Sequence, residues 1–162
     1  MELWDLLDSQ ARKTGRTMVR GRPIPSGTFH LVVHIWVKNK RGQYLIQKRA
    51  KTVQTMVGLW AITGGSVMAG EESLDAAVRE TNEELGLHTM PSQFELVQRL
   101  KRRQNFTDIY LLHDKIDVSR LELQKEEVEE VMWASSDKIM KMVREGEFYN
   151  YGHEYFRLMF SC

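Results

Sequence analysis

The chain reads as an α/β (α+β) protein: a mixed β-sheet covered by helices on both faces, an α/β/α sandwich. Three observations predict this. Stretches rich in β-branched and aromatic residues interleave with stretches of helical periodicity. The 162 residues carry 42% hydrophobic side chains, enough for one sizeable core. No repeat, low-complexity tract or Pro/Gly/Ser-rich linker divides them, so residues 1–162 are expected to form a single domain.

The N-terminal stretch MELWDLLDSQARKTG is acidic and amphipathic, without the basic start and unbroken apolar run of a secretory signal. Pro23 and Pro25 mark a loop. TFHLVVHIWVK, residues 28–38, is followed by a turn signal at Asn39 to Gly42 and then by YLIQKR, which together read as a hairpin. A short apolar strand is expected at Leu59 to Ile62, after which Gly64 and Gly65 allow backbone placements that a Cβ would resist.

The clearest helix spans Ser73 to Leu85, where Leu74, Ala77, Val78, Thr81 and Leu85 recur at helical spacing. Gly86 is its expected C-terminal stop. FELVQRL, DIYLLHDKIDV and EVEEVMW read as strands. A second helix is expected from Ser135 or Ser136 with Ile139, Met142 and Val143 inward, and a last one at HEYFRLMF.

Charge and cysteine content narrow the function classes. With 23 basic and 22 acidic side chains the net charge is +1, which gives no field for non-specific duplex binding; no stable nucleic-acid partner is expected. The one cysteine, Cys162, rules out an intramolecular disulfide framework and any multi-cysteine metal site. No apolar run approaches the roughly 18 residues of a membrane span. The expectation is a cytoplasmic protein without a membrane partner.

The chemistry is concentrated in GGSVMAGEESLDAAVRETNEELGL, residues 64–87. On a helix, Glu80, Glu83 and Glu84 fall within an arc of about 100°, because residues three and four apart share a face. Carboxylates crowded this way repel one another, so a cation among them is favourable. Hard oxygen ligands, with no cysteine or clustered histidine, favour Mg²⁺ or Mn²⁺ over zinc. An acidic pair alone would read as a solvated helix face.

The spacing decides between these. Gly65, five residues, Glu71, seven residues, Arg79-Glu80, Thr81, one residue, Glu83-Glu84, one residue, Gly86 and Leu87 resemble the Nudix box with every fixed position filled. The resemblance implies a Nudix fold, with a loop-helix-loop that places a metal site beneath a substrate diphosphate. It also implies attack of water on phosphorus in a nucleoside diphosphate linked to another group. The partner is then a small-molecule diphosphate. Glu80, Glu83 and Glu84 are the expected metal ligands and, with Arg79, the catalytic set.

Arg79 is expected to hold one of these three carboxylates by a bidentate contact and fix its orientation for the metal. Glu71 is expected either to join the metal shell or to cap the helix N-terminus. Glu126 or Glu127, in KEEVEEVMW, is a candidate for a further carboxylate, as metal ligand or base. Arg49 is a candidate for holding a substrate phosphate. The cluster Lys101-Arg102-Arg103 reads as exposed loop charge. Trp36, Trp60, Phe106, Tyr149 and Tyr151 are candidates for base stacking, against the commoner core role. A homodimer is compatible with the sequence, but no feature demands one.

The N-terminal half, with GTFHLVVHIWVKNKRGQYLIQKRA, also resembles isopentenyl-diphosphate isomerase, a branch sharing the Nudix fold. That enzyme would need a cysteine soon after the tryptophan-bearing strand and a histidine beyond it. Here the region is GLWAITGGSV, with glycines in place of the thiol. His30 resembles an isomerase metal ligand, and His34 shares its strand face. Without the downstream histidine both read as packed or hydrogen-bonded strand residues. A non-catalytic nucleotide-sensing module is a third reading, against which the intact Glu80, Glu83 and Glu84 count.

Overall fold

The computed structural model describes residues 1–113 and 116–162. The strands are β1 (Leu3–Leu7), β2 (Lys13–Val19), β3 (His30–Lys38), β4 (Tyr44–Arg49), β5 (Trp60–Ala61), β6 (Thr63–Ser66), β7 (Phe94–Lys101), β8 (Asn105–His113) and β9 (Val128–Ala134). The helices are α1 (Ser73–Leu85), α2 (Ser136–Arg144) and α3 (His153–Phe160). Strands β1 and β2 form a separate antiparallel hairpin at the N-terminus. The others form one sheet in the order β5-β4-β3-β8-β7, with β6 also on β3 and β9 also on β4.

The sheet is mixed because β3 runs parallel to β8 along its whole length, while the other pairs are antiparallel. Alternation along β3 then builds two cores, since successive side chains point to opposite faces. Val33, Ile35 and Val37 pack with Ala76, Ala77 and Leu85 of α1. Trp36 packs on the other face with Ile139 and Met142 of α2 and Tyr155, Phe156 and Met159 of α3. Helices thus cover both faces, as the sequence predicts. Among the described residues no helix is long and apolar enough to cross a membrane.

Three local expectations change. The hairpin of β3 and β4 is paired only at Lys38 and Tyr44; beyond the turn the strands part, β3 taking β6 and β4 taking β9. The strand expected at DIYLLHDKIDV starts earlier, at Asn105, and ends at His113; its residues 114–115 lie outside the described residues. On α1 the buried set is Ser73, Ala76, Ala77, Thr81, Glu84 and Leu85, so Ala76 and Glu84 replace Leu74 and Val78 on the innermost stripe. A glutamate on that stripe is the feature from which the site follows.

Candidate functional site

The box loop and helix are held by close fits. Gly64 stands opposite His34, where a Cβ would lie 2.6 Å from the Val33 carbonyl oxygen. A Cβ on Gly65 would overlap the Glu80 carboxylate. Gly64 is therefore required by backbone space, whereas at Gly65 a side chain would displace the Glu80 carboxylate. At Gly86 both conformation and space demand glycine: its φ of 66° is left-handed, a Cβ would lie 2.5 Å from the Glu122 carbonyl oxygen, and its N–H donates to the Asn82 carbonyl at 2.9 Å to close the helix.

Arg79 organises one side of the helix. Its Nε and Nη2 donate to the two carboxylate oxygens of Glu71 at 2.8 and 2.9 Å. Its Nη1 donates to Glu80 at 2.9 Å and to Glu83 at 3.4 Å, and Nη2 also reaches the Ser66 carbonyl at 3.1 Å. The bidentate brace is made to Glu71 and not to Glu80, Glu83 or Glu84 as expected; Glu80 and Glu83 each receive a single contact. Glu71 also accepts the Met68 N–H at 2.9 Å, while Glu72 occupies the N-cap position, so the capping role expected for Glu71 is not found. Burial works to raise the Glu71 carboxyl, but the Arg79 and Met68 contacts outweigh it and hold the group below its ordinary value.

Glu84 faces the opposite situation. It is 4% exposed, and among the described residues its one side-chain hydrogen bond comes from the neutral Gln47 amide at 3.2 Å. Gln47 is itself fixed by the Thr63 hydroxyl, which donates to its carbonyl oxygen at 3.0 Å. Burial, and then the charge on Glu80, push the Glu84 carboxyl up to about 8. Burial likewise pushes Glu80 up to about 7 against the pull of Arg79.

These groups line one cavity of about 300 Å³, shared by Glu80, Glu83, Glu84, Glu127, Arg79 and Arg49. Glu127 arrives there because the loop before β9 is anchored to the helix end, Gln124 N–H donating to the Glu84 carbonyl at 3.0 Å. Glu126 is exposed and does not line the cavity. Arg49 is partly committed, its Nε donating to the Thr55 carbonyl at 3.0 Å. Among the described residues no three acidic, imidazole or thiol groups already stand as a closed cage: Glu83 is half exposed and, like Glu80, turned onto Arg79.

The donor set nevertheless fits a hard divalent cation. Glu84 is a buried carboxylate with a single neutral partner among the described residues, next to two further carboxylates on the same wall.

The remaining wall is aromatic and basic. Tyr151 and His34 line the cavity, whereas Trp36 and Phe106 are buried in the core and Tyr149 is exposed outside it. His34 is hydrogen-bonded to the Tyr155 hydroxyl, and His30 is stacked on Trp4 with ring centroids 4.1 Å apart, so both are packed strand residues. Arg102 donates to the Tyr151 carbonyl at 3.1 Å, and Lys101 to the Ser9 carbonyl at 2.9 Å; two of the three clustered cations thus make tertiary contacts. Glu2 and Arg20, from the N-terminal hairpin, form an ion pair on the cavity rim.

Sequence reasoning missed Gln47, Thr63, Tyr155, Glu2 and Arg20. A signal existed for Gln47, which shares a β4 face with Leu45 and so places an amide at a core-facing position.

A mixed sheet thus carries a glycine loop and a carboxylate helix that together bound one cavity. Residues 28–152 match the family model of the NUDIX domain, and the chain belongs to the Nudix family of diphosphate hydrolases. It is 36% identical over 152 residues to an uncharacterized Nudix hydrolase of Listeria monocytogenes, covering 93% of this chain and 90% of that one. It is 31% identical over 138 residues to an isopentenyl-diphosphate Delta-isomerase of Pectobacterium atrosepticum, covering 83% of this chain and 76% of that one. A crystal structure of DR0079 from Deinococcus radiodurans superposes with a TM-score of 0.80 at 18% identity, over 99% of both chains. Nudix hydrolases generally use divalent metal ions.

Proposed function

We propose that this chain hydrolyses the diphosphate link of a nucleoside-diphosphate-type metabolite, with Mg²⁺ or Mn²⁺ as cofactor. The observation that carries the reading is the buried Glu84 carboxylate, satisfied among the described residues by one neutral amide, in the same cavity as Glu80, Glu83, Glu127 and Arg49. Glu80, Glu83 and Glu84 would hold the cation. When bound, it neutralises charge on the phosphoryl oxygens and lowers the pKa of water.

The chain's own groups do the rest. Arg49 binds a substrate phosphate oxygen from the cavity edge. Arg79, locked by Glu71, fixes the orientation of Glu80 and Glu83. A water oxygen adds to phosphorus as the bridging P–O bond breaks, and the electron pair leaves with the departing phosphate fragment. A cavity carboxylate accepts the proton lost by the water; Glu127 and the box glutamates are within the same lining. The base and sugar are selected by the loops and by the aromatic wall.

The isomerase likeness lacks its thiol here. Cys162 is the chain's one cysteine; it is exposed beyond α3, where its Sγ contacts the Leu158 carbonyl.

A panel of nucleoside diphosphates, sugar-nucleotides, dinucleotides and coenzyme fragments, assayed with Mg²⁺ and Mn²⁺ for phosphate or monophosphate release, tests the proposal. Turnover that needs metal and falls in Glu83→Gln and Glu84→Gln supports it. Turnover unchanged by both substitutions overturns the site assignment. Isoprenoid isomerisation without hydrolysis, or tight nucleotide binding without turnover, overturns the activity.

A further inference from the structure

The aromatic wall carries a hydrogen-bond chain whose proton positions can be assigned. Trp36 Nε1 lies 2.9 Å from the Tyr155 hydroxyl, and His34 Nδ1 lies 2.7 Å from that same oxygen. An indole N–H is a donor only, so the Tyr155 oxygen accepts from Trp36. The hydroxyl then has one proton to place. Burial raises the Tyr155 phenol well above its ordinary value, so that proton stays on the oxygen.

Two arrangements remain. If His34 Nδ1 carried a hydrogen, Tyr155 would accept twice and its own proton would have no acceptor among the described residues, a buried unsatisfied donor. If Tyr155 donates to a bare Nδ1, Trp36 Nε1, the Tyr155 hydroxyl and His34 Nδ1 all have partners. The second arrangement leaves the imidazole hydrogen on Nε2. The ring remains neutral, because burial and then the Arg102 charge hold His34 down to about 3. Nε2 has no protein partner among the described residues, and His34 lines the same cavity as Glu80, Glu83 and Glu84.

We infer that Trp36 and Tyr155 lock His34 in its Nε2–H tautomer, and that this neutral N–H is a substrate-recognition donor reading an acceptor oxygen or nitrogen of the bound metabolite. His34 binds substrate, while Tyr155 and Trp36 are positioning residues that act through it. The part of this inference that concerns substrate rests on the hydrolase reading; the tautomer does not.

The test has two arms. Long-range ¹H–¹⁵N spectra of histidine-labelled protein without substrate, assigned with His34→Leu, are expected to show His34 neutral, protonated at Nε2 and unchanged from pH 6 to 8. Tyr155→Phe is expected to release the tautomer. A ring protonated at Nδ1, or titrating in that range, overturns the lock. Kinetics with the diphosphate that wild type hydrolyses best form the second arm. His34→Leu is expected to raise KM about 10-fold with kcat within about 2-fold, His34→Gln to recover part of the loss, and Tyr155→Phe to raise KM about 3-fold. An unchanged KM in His34→Leu overturns the substrate contact. A wild-type chain that hydrolyses no diphosphate overturns the hydrolase reading and with it the substrate contact, while the spectra still decide the tautomer.

Discussion

The acidic wall on α1 and the aromatic wall backed by α3 bound one cavity but handle buried polar groups in opposite ways. On the aromatic wall neutral hydrogen bonds link Trp36 Nε1, the Tyr155 hydroxyl and His34 Nδ1. On the acidic wall Glu84 sits equally deep with one neutral donor, and Arg79 satisfies only the outer carboxylates. The aromatic wall leaves a neutral N–H, His34 Nε2, facing the cavity side; the acidic wall leaves a buried carboxylate, which on the proposed reading a cation completes.

The contrast breaks most sharply at Glu84. Glu84→Gln keeps the shape and removes the charge, so hydrolysis should fall on the order of 10²-fold or more. Folding stability at pH 8 should be unchanged or higher, because an uncompensated buried charge has gone. A steady-state assay paired with thermal melts checks both, and a large loss of stability would show that the carboxylate is internally satisfied after all.

Gly65→Ala should reduce turnover nearly as much, on the order of 10²-fold, because its Cβ displaces the Glu80 carboxylate. Circular dichroism should still show the folded sheet. Arg79→Lys removes the bidentate grip on Glu71 and should lower kcat by about 10- to 100-fold, most of it recoverable with higher metal concentration. Glu127→Gln, a change on the cavity rim and outside the helix, should have the smallest kinetic effect, under about 10-fold. A loss equal to that of Glu84→Gln would instead make Glu127 the main base.

The difference in legibility follows the same division. Glu71, Arg79, Glu80, Glu83, Glu84, Gly65 and Gly86 occupy one loop and helix, so fixed spacing reports their geometry directly. His34 and Tyr155 are 121 positions apart and meet only because β3 presents one face to α3. The parting of β3 and β4 was hidden for a related reason. The Asn39 to Gly42 turn is written locally, whereas insertion of β6 and β9 depends on distant strands. The N-terminal hairpin gave only an amphipathic pattern, too short to report that Glu2 and Arg20 would reach the cavity rim.

The two walls should also separate by pH. Glu80 and Glu84 have folded-state values raised from 4.5 to about 7 and about 8, so their contribution is full below 4.5 and is lost as pH rises through 7 to 8. His30 and His34 have values lowered from 6.5 to about 4 and about 3, so their contribution is full above 6.5 and is lost as pH falls through 4 and 3. Between pH 6.5 and 8 only the carboxylates act among these four groups. Melts in chelator should therefore show Tm falling by roughly 2–8 °C across that window. Mg²⁺ should flatten the slope, and so should Glu84→Gln.

The most direct test is a Mn²⁺ titration followed by electron paramagnetic resonance, on wild type and on Glu84→Gln, with the diphosphate product present. Saturable binding by wild type, weakened about 10-fold or more in the variant, is the expected result. No saturable Mn²⁺ binding by the wild-type chain, or equal affinity in the two proteins, would contradict an acidic wall completed by a cation.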